Sequence, residues 1–245
     1  NFMLLPILAS AFFIVSQKRF LIDGLLLGLA FLFKIVAIFD FASFLIFCLI
    51  INFYSLKKKV RFSSFVIGFS LPIIAVSLFF ISNGTFIDFV KAVLITNISY
   101  VSWGNKIGNL PFLPVLKLII LGFFTFYIFT KRKIFSNTAL FIFLWFAFSL
   151  FNALFSQRPY THYLLVLISS FSLMIGLILF DKKYQKTIIV FFFIGLLTVI
   201  KVFGIPNFNK SISYYQNFIS YIKGAKTMAS YQAFFDRNTP VDYEI

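Results

Sequence analysis

Phe62-Ser-Ser-Phe-Val-Ile-Gly-Phe-Ser-Leu-Pro-Ile-Ile-Ala-Val-Ser-Leu-Phe-Phe-Ile81 runs for 20 residues without a charge. As a helix it would cover about 30 Å, the thickness of a bilayer's hydrocarbon core. Lys57, Lys58, Lys59 and Arg61 precede it, and Asn83 and Gly84 follow it. A soluble helix of this length needs a polar face, and the four serines here do not make one. The stretch reads as a transmembrane helix.

The rest of the chain has the same character. Of 245 residues, 61% are hydrophobic and 12% are charged, whereas a soluble domain carries about 25% charge. Mean hydropathy is +0.98. These proportions exclude an ordinary soluble globule, a disordered tail and a disulfide-stapled secreted module. At about 20 residues per crossing, the apolar content supplies roughly eight spans. The 40 phenylalanines fit a compositional bias that also enriches Ile, Lys and Asn. Cys48 is the single cysteine and sits in an apolar run, so it offers neither a disulfide framework nor a thiolate metal site.

Outward from Phe62–Ile81, further apolar runs cover Met3–Val15, Phe20–Phe33, Ile38–Tyr54, Phe112–Thr130, Ala139–Phe155, Tyr163–Phe180 and Thr187–Phe203. The expected fold is an all-α integral membrane protein, a polytopic helical bundle of about eight spans. The two runs flanking Lys34–Ala37 also admit a different description, one helix broken at that point. Cytoplasmic loops retain Lys and Arg, so loop charge sets the orientation. Lys18 and Arg19, then Lys57, Lys58, Lys59 and Arg61, then Lys131, Arg132 and Lys133, then Lys182, Lys183 and Lys186 occupy alternate short loops. The net charge of +15 thus reads as membrane topology, and no nucleic-acid partner is expected. Asp40, Asp88, Asp236, Asp242 and Glu244 fall on the opposite side with the long loops. The expected location is the cell inner (cytoplasmic) membrane, with the C-terminal tail extracytoplasmic.

Residues 1–203 then form the polytopic region, and residues 204–245 open an extracytoplasmic soluble domain. Both ends are expected to be truncated, since the chain starts at Asn1 and stops as a new helix opens at Thr239, Pro240 and Asp242. In Thr85–Asn97, Phe86, Phe89, Val90, Val93 and Leu94 recur at helical spacing opposite Asp88 and Lys91, which predicts an amphipathic outer helix in the interface plane. Tyr100 and Trp103 follow as headgroup-level anchors. In the tail, Tyr215, Phe218, Ile219 and Ile222 repeat the helical spacing, and Gly224 is a natural stop.

Polar groups inside apolar segments are costly and mark functional candidates. Lys34 closes the run Gly24-Leu-Leu-Leu-Gly28-Leu-Ala-Phe-Leu-Phe-Lys34. Its ammonium either snorkels to the interface or turns into a cavity and binds an anion such as a phosphate. Asp40, beyond the break, either pairs with Lys34 or contacts a hydroxylated substrate. The densest polar cluster between spans is Ser156-Gln157-Arg158-Pro159-Tyr160-Thr161-His162-Tyr163, which holds the chain's one His. Arg158 offers a planar fork for phosphate oxygens. His162, Tyr160 and Tyr163 add donors, and Pro159 fixes the turn. A lone His at a membrane boundary is also a common interfacial residue. No His/Cys/Asp/Glu set has metal-ligand spacing, no glycine loop cradles a phosphate and no Ser–His–Asp set is present. Gly24 and Gly28, four apart in an apolar helix, suit close helix packing.

The stretch from Gly24 to Lys34, followed by Ala37, resembles the GLxxGLAFLxK helix of bacterial polyprenyl-phosphate-dependent glycosyltransferases. These are GT-C enzymes related to protein O-mannosyltransferases and the lipid A aminoarabinose transferase. Arg158-Pro-Tyr-Thr-His162-Tyr163 resembles that group's R-x-x-x-H-Y outer turn, and Phe2-Met-Leu-Leu-Pro6 resembles the tail of a third element. The resemblance implies transfer of a hexose or pentose from a polyprenyl-phosphate donor to an extracytoplasmic acceptor: a glycan, lipid or protein. Within the family the catalytic acid lies on an outer loop, expected upstream of Asn1, so no catalytic residue is assigned here. The implied substrate-binding residues are Lys34, Arg158 and His162 on the departing lipid phosphate, with Tyr160 and Tyr163 beside them. Asp40 would hold the sugar or orient Lys34. Ile35 departs from the pattern, since many relatives carry a polar or small residue there. No resident cofactor beyond the lipid-linked donor is implied, and divalent-metal dependence stays open. The competing expectation is a transporter or lipid flippase, in which Lys34 and Asp40 pair at a broken helix, although no internal repeat supports it.

Overall fold

The computed structural model describes residues 2–16, 19–54, 62–97, 113–155, 161–180, 185–203 and 209–235. Among them the fold is all-α, with eleven α-helices and no strand. In chain order these are α1 (Leu4–Ser16), α2 (Phe20–Phe33), α3 (Ile38–Tyr54), α4 (Phe62–Ser82), α5 (Phe86–Val90), α6 (Leu113–Thr130), α7 (Asn137–Phe155), α8 (Leu165–Phe180), α9 (Gln185–Phe203), α10 (Asn209–Ile222) and α11 (Met228–Gln232). Every apolar run read from the sequence is a helix, with its ends moved by no more than a few residues. Three segments, Ile35–Tyr54, Phe62–Ser82 and Asn137–Phe155, are long and apolar enough to cross a membrane. Leu4–Ser16, Phe20–Phe33, Pro114–Thr130 and Leu165–Leu179 are apolar but shorter. The chain divides into two compact units, Asn1–Gly195 and Leu196–Ile245, with the boundary inside α9.

The first unit is built around α7. Every side chain from Ala139 to Phe146 is buried, as a helix that is apolar all round requires. Helices α3, α6 and α8 pack against it. Its seam with α3 is aromatic: Phe44 meets Phe141 and Trp145 edge-on at 4.8 and 5.5 Å, and Phe39 meets Phe151 and Phe155 at 5.1 and 5.2 Å. Numbers rise along α3 as they fall along α7, so the two helices are antiparallel. Edge-to-face geometry is the favoured arrangement of aromatic quadrupoles.

Helices α2 and α4 meet almost backbone to backbone. A Cβ added at Gly24 would lie 2.0 Å from the Phe65 carbonyl oxygen, one at Gly28 2.4 Å from that of Phe69, and one at Gly68 2.2 Å from that of Leu21. Glycine is required at all three positions because any side chain there would enter its neighbour's backbone. In hydrocarbon, apolar surface gains little by leaving lipid, so close van der Waals approach is what holds such a pair. Pro72 of α4 forms part of the contact: its ring would be 3.0 Å from a Cβ on Gly28.

Contacts advance in the same sense along both chains, Gly24 to Phe65 and then Gly28 to Phe69 and Pro72, so α2 and α4 are parallel. This decides between the two descriptions of the Lys34–Ala37 break. If α3 continued α2 in the same direction, about 46 Å of helix would separate its end from the start of α4. The eight residue steps from Tyr54 to Phe62 reach at most about 30 Å. Helix α3 therefore doubles back, and α2–α3 is a hairpin rather than one interrupted helix.

Much of the remaining apolar surface faces outward, including Ile120, Phe123 and Phe126 on α6 and Ile74, Leu78 and Phe79 on α4. For helices of this composition the expected solvent is lipid. The amphipathic segment expected over Thr85–Asn97 is helical: α5 passes into a π-turn at Lys91–Ile95. Phe89 stacks on Phe80 of α4 at 4.5 Å, and Asp88 and Lys91 form an exposed pair at 4.0 Å. Tyr100, Trp103 and the Thr239–Asp242 helix start lie outside the described residues.

In the second unit, α10 ends where Gly224 takes φ +73°, a left-handed value natural to glycine at a helix stop. Helix α11 then folds back on α10. Thr227 caps it by accepting from the Ser230 amide at 3.2 Å.

Candidate functional site

The hairpin turn is a defined structure. Lys34 leaves α2 in an extended conformation, φ −158° and ψ 120°. Its amide still donates to the Ala30 carbonyl at 3.0 Å, and its own carbonyl accepts from the Ala37 amide at 3.0 Å. A 3₁₀ turn over Ile35–Ala37 then leads into α3.

Helix α7 holds this turn from the side. Asn152 Nδ2 donates to the Val36 carbonyl at 3.2 Å, and Trp145 Nε1 donates to Asp40 Oδ1 at 2.7 Å. Trp145, Ser149 and Asn152 follow one another at i, i+4 and i+7, a single polar stripe on an otherwise apolar helix. A buried indole N–H needs a partner, and Asp40 supplies it. Asp40 and Trp145 are 3% and 1% exposed. Asp40 Oδ2 and Ser149 Oγ are buried without a hydrogen-bond partner among the described residues. Such orphaned groups cost about 1–3 kcal/mol each and ask for a missing bond.

The expected pairing of Asp40 with Lys34 is not formed. Asp40 is taken inward by Trp145, while the half-buried Lys34 turns to α8. Its ammonium lies over the Tyr163 ring, 5.3 Å from the centroid, within cation–π range. Tyr163 sits in a 3₁₀ turn, Thr161–Leu164, that leads into α8. Two candidate segments separated by more than a hundred residues thus meet in space. His162 belongs to the same turn. Arg158, Tyr160 and the His162 side chain lie outside the described residues.

Three contributors were not singled out from the sequence. Trp145 and Asn152 position the turn, although their i, i+7 spacing within Ala139–Phe155 was the available signal. Lys117, on α6, donates from Nζ to the Leu154 carbonyl in the last turn of α7. A cation there satisfies one of the terminal carbonyls a helix leaves open and suits the negative end of its dipole. Below Lys117 an apolar groove of ≈ 660 Å³ runs between α3 and α6, lined by Ile46, Leu49, Phe53, Leu121, Phe126 and Phe129 among others.

A separate buried acid, Asp23 of α2, has neither carboxylate oxygen hydrogen-bonded among the described residues. Its backbone carbonyl accepts from Ser10 Oγ of α1 at 3.2 Å. Among the described residues no group of three or more His, Cys, Asp or Glu side chains could hold a metal ion.

No family model matches the chain, and no curated protein or solved structure is significantly similar to it.

Proposed function

We propose that the chain is part of a polytopic membrane glycosyltransferase that moves a sugar from a polyprenyl-phosphate donor to an extracytoplasmic acceptor. The observation that carries this reading is the seat of the Lys34 ammonium on Tyr163, because Tyr163 closes the sequence cluster that also contains Arg158 and His162. An anionic leaving group needs that kind of assembly. As the sugar's anomeric bond breaks, charge grows on the phosphate oxygens, and fixed cations there lower the barrier.

In this account Lys34, with Arg158 and His162, grips the lipid phosphate. Tyr163 holds the ammonium in place, and Asp40 keeps Oδ2 for a hydroxyl of the sugar. Trp145 and Asn152 are positioning residues, acting through Asp40 and the Val36 carbonyl. The groove between α3 and α6 suits the hydrocarbon tail of the donor, since its walls are apolar and Lys117 lies at one end. The remaining parts of the proposal are eight crossings and an extracytoplasmic C-terminal unit in the inner membrane.

The test uses the full-length protein in vesicles with a polyprenyl-phosphate sugar. Lys34→Ala, Arg158→Ala and His162→Ala are each expected to reduce transfer by about 10²–10³-fold, the usual loss on removing one preorganised stabilising donor. Folded variants that transfer at the parent rate would overturn the reading. Substrate flux with no glycosyl product would favour a transporter in its place, although the Lys34–Asp40 pair that such a mechanism invoked is not formed.

A further inference from the structure

Helix α10 divides its surface three ways. Tyr214, Asn217 and Tyr221 hold α11: Asn217 Nδ2 donates to the Tyr231 carbonyl at 3.1 Å, Tyr221 and Tyr231 stack at 4.9 Å, and Tyr214 meets Phe235 edge-on at 5.8 Å. Ser213, Gln216, Ser220 and Lys223 line a second, polar side. On the third side Ile212, Tyr215, Ile219 and Ile222 are 62%, 63%, 48% and 66% exposed. At about 100° per residue, the centres of these lines lie roughly a third of a turn apart. Four large apolar side chains therefore stand uncovered along about 15 Å of helix.

Two features select what covers them. Asn209 follows Phe203, the end of the apolar helix α9, by six residue steps, a reach of at most about 23 Å. A helix on so short a tether stays beside the membrane that α9 enters. Charge is the second feature. No acidic residue lies between Asp181 and Asp236, while Lys201, Lys210, Lys223 and Lys226 all fall in that interval. Lys226 is engaged with Asn217 Oδ1 at 2.6 Å, while Lys223 is exposed. An apolar stripe in a stretch whose charged residues are all cations matches an anionic phospholipid surface, where the stripe enters the headgroup–acyl boundary and an exposed lysine meets headgroup phosphates.

We propose that α10 is an interfacial helix, laid in the membrane plane with Ile212, Tyr215, Ile219 and Ile222 in the acyl boundary of an anionic bilayer and Lys223, at the edge of that side, on its headgroups. Ser213, Gln216 and Ser220 then face water, and α11 is held at the membrane edge by the Tyr214, Asn217 and Tyr221 side. This depends on α9 entering the membrane and not on the transfer reaction, so failure of either proposal leaves the other standing.

The experiment is nitroxide accessibility on the full chain in nanodiscs, with and without phosphatidylglycerol, labelled at Ile219→Cys or Gln216→Cys. Cys48 is replaced by Ala or, being fully buried, left in place. In phosphatidylglycerol discs the label at 219 is expected to collide with oxygen several-fold more than with a water-soluble nickel chelate, at a depth of about 5–10 Å. The label at 216 is expected to show the reverse. Nickel reaching 219 as freely as 216 would overturn the proposal, as would a label at 219 shielded from both reagents, the signature of a protein partner or a second copy. A contrast unchanged by removing phosphatidylglycerol would overturn the role given to Lys223.

Discussion

Trp145 and Asp40, 105 positions apart, are joined by a 2.7 Å hydrogen bond within the seam between α7 and α3. The bond fixes only one carboxylate oxygen, and the other is buried without a partner. It therefore anchors the start of α3 and leaves the second oxygen of Asp40 unpaired among the described residues.

Trp145→Phe should destabilise the protein by about 1–3 kcal/mol, because it leaves both oxygens of a buried carboxyl unpaired. Asp40→Leu combined with Trp145→Phe should cost less than the two single changes added together, since it removes both partners at once. Equilibrium unfolding in detergent on all three variants measures the coupling. Strict additivity would mean that the bond contributes nothing.

The α2–α4 contact predicts a sharp contrast among glycines. Gly24→Ala and Gly68→Ala place a methyl against a backbone carbonyl, so helix separation and loss of several kcal/mol are expected. Gly176→Ala, where a Cβ meets nothing within 4 Å, should stay within about 0.5 kcal/mol of the parent. Thermal stability in detergent, monitored by size-exclusion profile, separates these outcomes.

Lys34 and Tyr163 give a graded series. A cation–π contact contributes about 0.5–2 kcal/mol, equivalent to about 2- to 30-fold in affinity. Under the proposed function, Tyr163→Leu should raise the donor KM within that range while changing kcat little. Tyr163→Phe, which keeps the ring, should remain near the parent. Steady-state kinetics with varied donor would show it, and equal losses in both variants would transfer the role to the hydroxyl.

Asn152→Leu should loosen the hairpin turn without disturbing α7, because it removes the side-chain bond to the Val36 carbonyl. Hydrogen exchange in a peptide covering residues 30–40 is expected to speed up, while exchange in residues 139–148 stays slow. Unchanged exchange at the turn would show that the 3₁₀ geometry holds itself.

The helices were legible because their signal is local. Uninterrupted apolar runs such as Phe62–Ile81 fix type and approximate length without reference to the rest of the chain. The Gly24–Gly28 spacing also announced a close helix contact, though not which helix would fill it. The hairpin was read as two spans flanking Lys34–Ala37, with one broken helix as the alternative, and the parallel register of α2 and α4 is what decides between them. Asp40 was singled out as a polar group inside an apolar segment, with pairing to Lys34 or contact with a hydroxylated substrate as its two readings. The first is not formed, and neither reading included the indole of Trp145, which lies on a helix that arrives much later in the chain. Lys34 and Tyr163 were named separately, and nothing in their spacing says that they touch.

The interlock of Gly24, Gly28 and Gly68 also constrains the order of biogenesis. When α2 leaves the ribosome its partner has not been synthesised, and α3 must emerge before α4 can dock. During that interval the glycine groove on α2 is open to any other small-residue helix. A nascent chain stalled before Phe62 would hold this surface uncovered, which makes the early intermediate, rather than the finished bundle, the state most exposed to mispairing and quality-control proteolysis.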